Sequence, residues 1–242
     1  MLRSELHPRG LEIVTVSLEL SGPEASRRYI EAAHPEHPSL LDPTHQLDAL
    51  FGVVNIPNVI WIDEEGTIVR PPEPGWAGPQ QMPEELMRAA AARAPGGRRL
   101  NLSALGGGQD RNSYPDALRD WVLKGRESRF HLTPEQVVAR SQPRPRAVSE
   151  AAAHFELANH LWTRGQREAA IAHWNACHRL QPDNWTYKRQ AYSLVGNEQA
   201  GGEFGRFNQV PKPGEEASWP FESDFFSEID KLAPGQYYPK TL

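Results

Sequence analysis

The chain of 242 residues contains a single cysteine, Cys177. One thiol excludes an internal disulfide, a four-cysteine zinc site and a two-cysteine redox centre within the chain. Long apolar runs are missing as well. No stretch approaches the roughly 18 consecutive apolar residues that cross a bilayer, so no membrane association is expected. The opening Met1 to Pro8 has no apolar stretch after Arg3, and hence no secretory signal, which points to the cytoplasm. A net charge of −5 gives no general basic excess for nucleic acid. Basic residues do outnumber acidic ones from Arg88 to Arg146. The aromatics there, Tyr114, Trp121 and Phe130, are too sparse for a base-stacking platform and read as packing anchors on a solvated surface. What the chain has in quantity is 22 prolines and 19 glycines, which implies extensive irregular backbone.

Residues 1–96 alternate between strand and helix signals. Leu2 and Leu6 are spaced like the last turns of an amphipathic helix, stopped by Pro8 and Gly10. Residues 11–18 are apolar and β-branched, as in a parallel strand buried on both faces. Ser21, Gly22, Pro23 and Glu24 open a helix that should run to about Ala33. Ser39 to Leu41 is a short strand, and Asp42-Pro43-Thr44 starts a helix with Leu47, Leu50 and Phe51 on its apolar face. Val59–Ile62 and Thr67–Val69 flank Asp63 to Gly66 as a hairpin, and residues 83–93 form a further helix. This order predicts an α/β layer fold with a partly parallel sheet.

The stretches Arg9–Ser17 and Val54–Val69, with a helix and strand between them, resemble the second half of a thioredoxin-like domain of the redoxin (TlpA/ResA) branch. The resemblance implies a cis bond before Pro57 and a substrate-binding role for Ile56 and Pro57, where an extended polypeptide would add main-chain hydrogen bonds. It also implies thiol–disulfide oxidoreductase activity, which depends on a thiolate of lowered pKa at a helix N-terminus. The chain departs from the family here, because no cysteine pair precedes residue 9. Two explanations stand side by side. Either Met1 falls inside an α/β unit whose redox-active half, with cysteine or selenocysteine, lies upstream, or the chain is a degenerate thioredoxin fold retained for binding. In either case the chain alone is expected to have no catalytic residues and no cofactor. The missing central strand would leave strands 11–18 and 58–62 either paired directly or open at their edges, so self-association is expected.

Residues 97–147 read as a linker with two helices, 115–124 and a second one begun by the capping box Thr133 to Gln136. The Gly106–Gly108 run has no strand before it and is not a phosphate loop. In 148–200, two helices meeting at Gly165 resemble a tetratricopeptide repeat. The resemblance assigns packing to Leu157, Ala158, Leu161, Gly165, Ala170, Trp174 and Cys177, with Pro182 closing the unit, and implies protein clients as partners. Cys177 reads as a small buried apolar residue. His173, Cys177 and the nearby His154 and His178 lack a second ligand pair, so no metal is expected. His34, His37 and His45 lie around prolines and read as solvated loop residues. Residues 201–242 form an acidic tail with aromatic anchors, expected to dock on the body of the chain.

The expectation is therefore an α/β, incomplete thioredoxin-like fold followed by an all-α repeat-like region. It would be a thiol–disulfide oxidoreductase relative with a protein-interaction module and no redox centre of its own, or else a non-catalytic scaffold.

Overall fold

The computed structural model describes residues 2–75, 101, 103–104, 113–200, 207, 210–211 and 214–239, with only the backbone of 197–200. The described chain divides into two compact units. One holds 2–75 and 113–143; the other holds 101, 103–104 and 144–239 where described. The helix expected at 83–93 and the Gly106–Gly108 run lie outside the described residues.

The first unit mixes helix with two small sheets. Helix α1 (Leu2–Leu6) buries Leu2 and Leu6 and is followed by a tight turn, His7–Arg9. Strand β1 (Thr15–Leu18) pairs in parallel with β2 (Ser39–Asp42), from Thr15 opposite Ser39 to Leu18 opposite Asp42, and α2 (Pro23–Ala33) makes the crossover. Pro23 sits in the first turn of α2, where its missing N–H costs nothing. Helix α3 (Gln46–Phe51) leads to β3 (Asn58–Ile62), which pairs antiparallel with β4 (Ile68–Pro74). The hairpin turn is held by Asp63, whose Oδ1 accepts from the backbone of Glu65 at 3.1 Å and Thr67 at 2.8 Å.

The core of this unit gathers around Trp61. Its ring stacks on Trp121 at 4.9 Å between centroids, and its Nε1 donates to the Tyr114 hydroxyl at 2.6 Å. Tyr114, Ala117, Leu118 and Trp121 come from α4 (Ser113–Lys124), and Leu2, Leu6 and Val69 complete the cluster. Arg70, buried under this cluster, donates to Glu73 at 2.5 and 2.8 Å and to the Phe130 carbonyl at 3.0 Å. Helix α5 (Pro134–Ser141) follows, with both arms of the Thr133–Gln136 capping box formed. Gly75 closes β4 where any side chain would run into Val59 and Tyr114: an added Cβ would lie 2.4 Å from Val59 Cγ2.

In the second unit, α6 (Arg146–Thr163) and α7 (Arg167–Leu180) fold against each other across Gly165, whose φ of +76° suits a residue without Cβ. Ala151, Phe155, Ala158, Asn159 and Trp162 of α6 meet Ala170, Trp174 and Cys177 of α7, and Trp174 Nε1 donates to Asn159 Oδ1 at 3.1 Å. Helix α8 (Trp185–Ala200) is capped by Asn184, which accepts from the Tyr187 N–H at 3.1 Å. The tail folds back on these helices. Asn175 donates to the Pro220 carbonyl at 3.1 Å, and α9 (Phe225–Asp230) brings Glu228 to Lys188 at 2.7 Å.

Three readings of the sequence change. The strand expected over 11–18 begins only at Thr15, and it is not buried on both faces: Val14 is 53% and Val16 36% exposed. Of the two arrangements expected for strands 11–18 and 58–62, direct pairing does not occur: among the described residues they belong to separate two-stranded sheets. Leu50 and Leu157 point outward instead of into the core. Leu157 lies about 160° around the helix from Phe155, whose side the 151/155/158/162 stripe buries. Residues 113–143, read as linker, belong to the first unit because Tyr114 and Trp121 are needed to cover Trp61.

Lys188 and Glu228 provide a test of the second unit. Burial lowers the Lys188 ammonium while Glu228 pulls it the other way. Burial alone would raise the Glu228 carboxyl, but hydrogen bonds from Lys188 and Lys231 outweigh this and hold it at about 2. A depressed carboxylate contributes stability that is full above its ordinary value and lost as pH falls toward the folded one. Glu228→Gln is expected to cost about 3 kcal/mol at pH 7 in urea unfolding. That gap should shrink once pH drops below about 4.3.

Candidate functional site

Because β1 and β2 run parallel, the chain leaves both from the same end, and a set of buried polar residues collects there. Glu19, just past β1, donates its N–H to the Asp42 carbonyl at 3.3 Å, and its carboxylate accepts from Ser21 N at 2.7 Å. Asp42, the last residue of β2, turns its side chain onto the start of α3. Oδ2 accepts from Leu47 N at 2.7 Å, and Oδ1 accepts from Thr44 N at 3.1 Å and from the Thr44 hydroxyl at 3.0 Å. Burial works to raise the Asp42 carboxyl, but the Leu47 and Thr44 bonds together outweigh it and the net direction is down.

His45 sits at the entrance to α3 with a left-handed φ of +57°, uncommon for a residue with a side chain. That conformation turns its ring inward, where it is 3% exposed, and places Nδ1 3.0 Å from Asp48 Oδ2, itself in a residue 2% exposed. A carboxylate only accepts, so Nδ1 carries the proton of this bond and Asp48 fixes the orientation of the ring. Asp48 also accepts from Ala49 N through its side chain and from Val53 N through its carbonyl at 2.8 Å, which ties the dyad to the next loop. In that loop the buried Asn55 accepts from Ile56 N at 2.9 Å. The Ile56–Pro57 bond is cis, the geometry that the thioredoxin-like resemblance implies, and both residues are exposed. One step on, Asn58 Oδ1 is buried with no hydrogen-bond partner.

The structure thus joins Ile56 and Pro57, through one loop and one short helix, to a His–Asp dyad that the sequence reading left out. His45 is not a solvated loop residue: a histidine between prolines looked exposed, and only its left-handed backbone folds it in. The signal present in the sequence was the spacing of Asp42, His45 and Asp48, three apart, which carries them from the end of β2 through the N-cap of α3 into its first turn. His34 is exposed and His37 half-buried.

The repeat-like positions form a separate set in the second unit. Ala158, Ala170, Trp174 and Cys177 are fully buried, Leu161 is half-buried, Gly165 makes the turn, and Leu157 and Pro182 are exposed. Burial pushes the Cys177 thiol well above its ordinary value, which removes it as a nucleophile at neutral pH. Among the described residues there is no group of three metal-binding side chains and no helix long and apolar enough to cross a membrane.

No protein-family model, curated protein or solved structure matches this chain.

Two outcomes follow from this geometry. Asp48→Ala leaves the buried His45 Nδ1–H and the Ala49 N–H without that acceptor and should cost about 2 kcal/mol in chemical unfolding. Cys177 should react with a disulfide reagent such as dithionitrobenzoate only after denaturant is added, whereas prompt reaction of the folded chain would place the thiol outside the α6–α7 core.

Proposed function

We propose that the chain is a relative of the thioredoxin-like, redoxin-type thiol–disulfide oxidoreductases, joined to a tetratricopeptide-like protein-interaction module, and that it carries out no exchange chemistry by itself. The observation that carries this reading is the uncovered apolar surface of the first unit. Val14, Val16 and Leu40, on and beside the parallel pair, are 53%, 36% and 51% exposed, although a parallel pair is normally covered on both faces. An additional strand with its own redox-active segment would bury this surface and bring a thiolate or selenolate toward the exposed Ile56–Pro57 peptide. The element order supports the same reading: strand, helix, parallel strand, helix, then an antiparallel hairpin. The α6–α7 hairpin, with its Ala158/Ala170/Trp174 contact, supports a repeat-like module that recruits a protein client.

A second reading keeps the first unit as a binding platform without chemistry. It is favoured by the position of the only thiol, which is buried in the other unit. On this reading Ile56 and Pro57 still hold an extended polypeptide, but nothing attacks it.

The two readings separate in a disulfide-reduction assay with insulin. The chain itself should leave insulin disulfides intact. A version extended by the codons that precede Met1 in its gene should reduce them, and should lose that activity when the added cysteine or selenocysteine is replaced by serine. An upstream frame with no such codon, with peptide binding retained by the chain, would overturn the oxidoreductase reading in favour of the platform.

A further inference from the structure

His154 and His173 face each other across the α6–α7 hairpin, with their Nδ1 atoms 2.8 Å apart and ring centroids at 5.0 Å. Both rings are half-buried and reach solvent. In the neutral pair one Nδ1 donates and the other accepts, so a single proton bridges the two helices. The spacing in the sequence instead drew His173 toward Cys177, four residues on. The structure separates them, since Cys177 turns into the core with Trp174 and leaves His173 to face α6.

We propose that His154 and His173 form a two-imidazole chelate for a divalent copper or nickel ion. The donors carry the choice of ion: nitrogen ligands in square-planar or tetragonal sites suit Cu²⁺ and Ni²⁺, and among the first-row divalent ions Cu²⁺ binds a given nitrogen site most tightly. On binding, the accepting ring turns its Nδ1 lone pair to the ion, while the donating ring gives its Nδ1 proton to water and takes one up at Nε2, so that both Nδ1 atoms can bind. Water fills the remaining positions. Glu150, one turn before His154 on α6, is the carboxylate at helical spacing from this pair. The scaffold suits the task, because the two histidines are on helices locked together by Trp174, Asn159 and Trp162. The site spans two helices of one hairpin, so an ion there would cross-link them and stabilise the unit.

Isothermal titration of the full chain with CuCl₂ and with NiCl₂ should show one site that ZnCl₂ occupies more weakly and MgCl₂ does not occupy. His154→Gln and His173→Gln should each weaken that site by about tenfold or more, since loss of a direct ligand exceeds the usual cost of disturbing its supports. His160→Gln, on the same helix but outside the pair, should leave it unchanged. Stoichiometry and affinity unaltered in both pair variants would overturn the proposal. Should either variant fail to fold, the unmutated chain labelled with ¹⁵N-histidine decides. Sub-stoichiometric Cu²⁺ must broaden the His154 and His173 resonances ahead of the other histidines, and uniform broadening of all of them would be adventitious binding and would equally overturn it.

Discussion

Among the described residues each unit buries a basic side chain, Arg70 in the first and Lys188 in the second, and segments distant in sequence converge on it. A charge taken out of water must be paired and hydrogen-bonded on every side, or the fold loses several kcal/mol. Arg70 meets this requirement with Glu73 on its own strand, the Phe130 carbonyl from beyond α4, and the face of Trp61, whose ring lies 5.3 Å from the guanidinium. Lys188 does so with Glu228 from α9, the Pro182 carbonyl at 2.5 Å, and the Trp185 ring 5.0 Å away. In both cases an acid, a carbonyl and an indole converge on one basic head. Segments remote in sequence are thereby fixed in place: residues 125–130 on the β-hairpin, and the tail on α8.

The consequences for function differ between the units. In the second, aromatic surface is well covered, from the Phe155–Tyr187 stack at 4.1 Å to the Trp185–Tyr237 edge contact, and what remains outside is mostly polar. In the first, the Trp61 cluster covers the hairpin and α4, while β1 and β2 have apolar side chains in water. Two-stranded sheets are marginal by themselves, and an open edge flanked by exposed valine is a place where another strand adds. The buried polar group of Glu19, Asp42, His45 and Asp48 lies at the end of this open pair. An oriented imidazole, an exposed proline loop and an unfilled sheet surface therefore belong to the same unit, whereas the chain's cysteine does not.

Much of the secondary structure was legible from local chemistry. Pro23 after Gly22, the Thr133–Gln136 box and the Asp63–Gly66 turn act through bonds to near neighbours, so the residues that specify them are adjacent in sequence. The 158/170/174/177 contact was legible because helical period alone brings small and large residues to one face. The exposure of Leu157 is not legible, since apolar character does not reveal which side of α6 meets α7. Nor is the burial of His45, which depends on a left-handed backbone that no neighbour announces. The His154–His173 contact could not be read at all, because it depends on the crossing of two helices.

The sequence by itself determined the chain's chemical limits: one thiol, no spanning helix, and an α/β segment followed by helices, all set by composition and short-range periodicity. Tertiary structure alone decided which of those residues face one another. It gave residues 113–143 to the first unit, withdrew Cys177 into a core, left β1 and β3 in different sheets, and set His45 on Asp48. These outcomes depend on burial and on the pairing of charges between distant segments, and such free energies exist only once the segments have met.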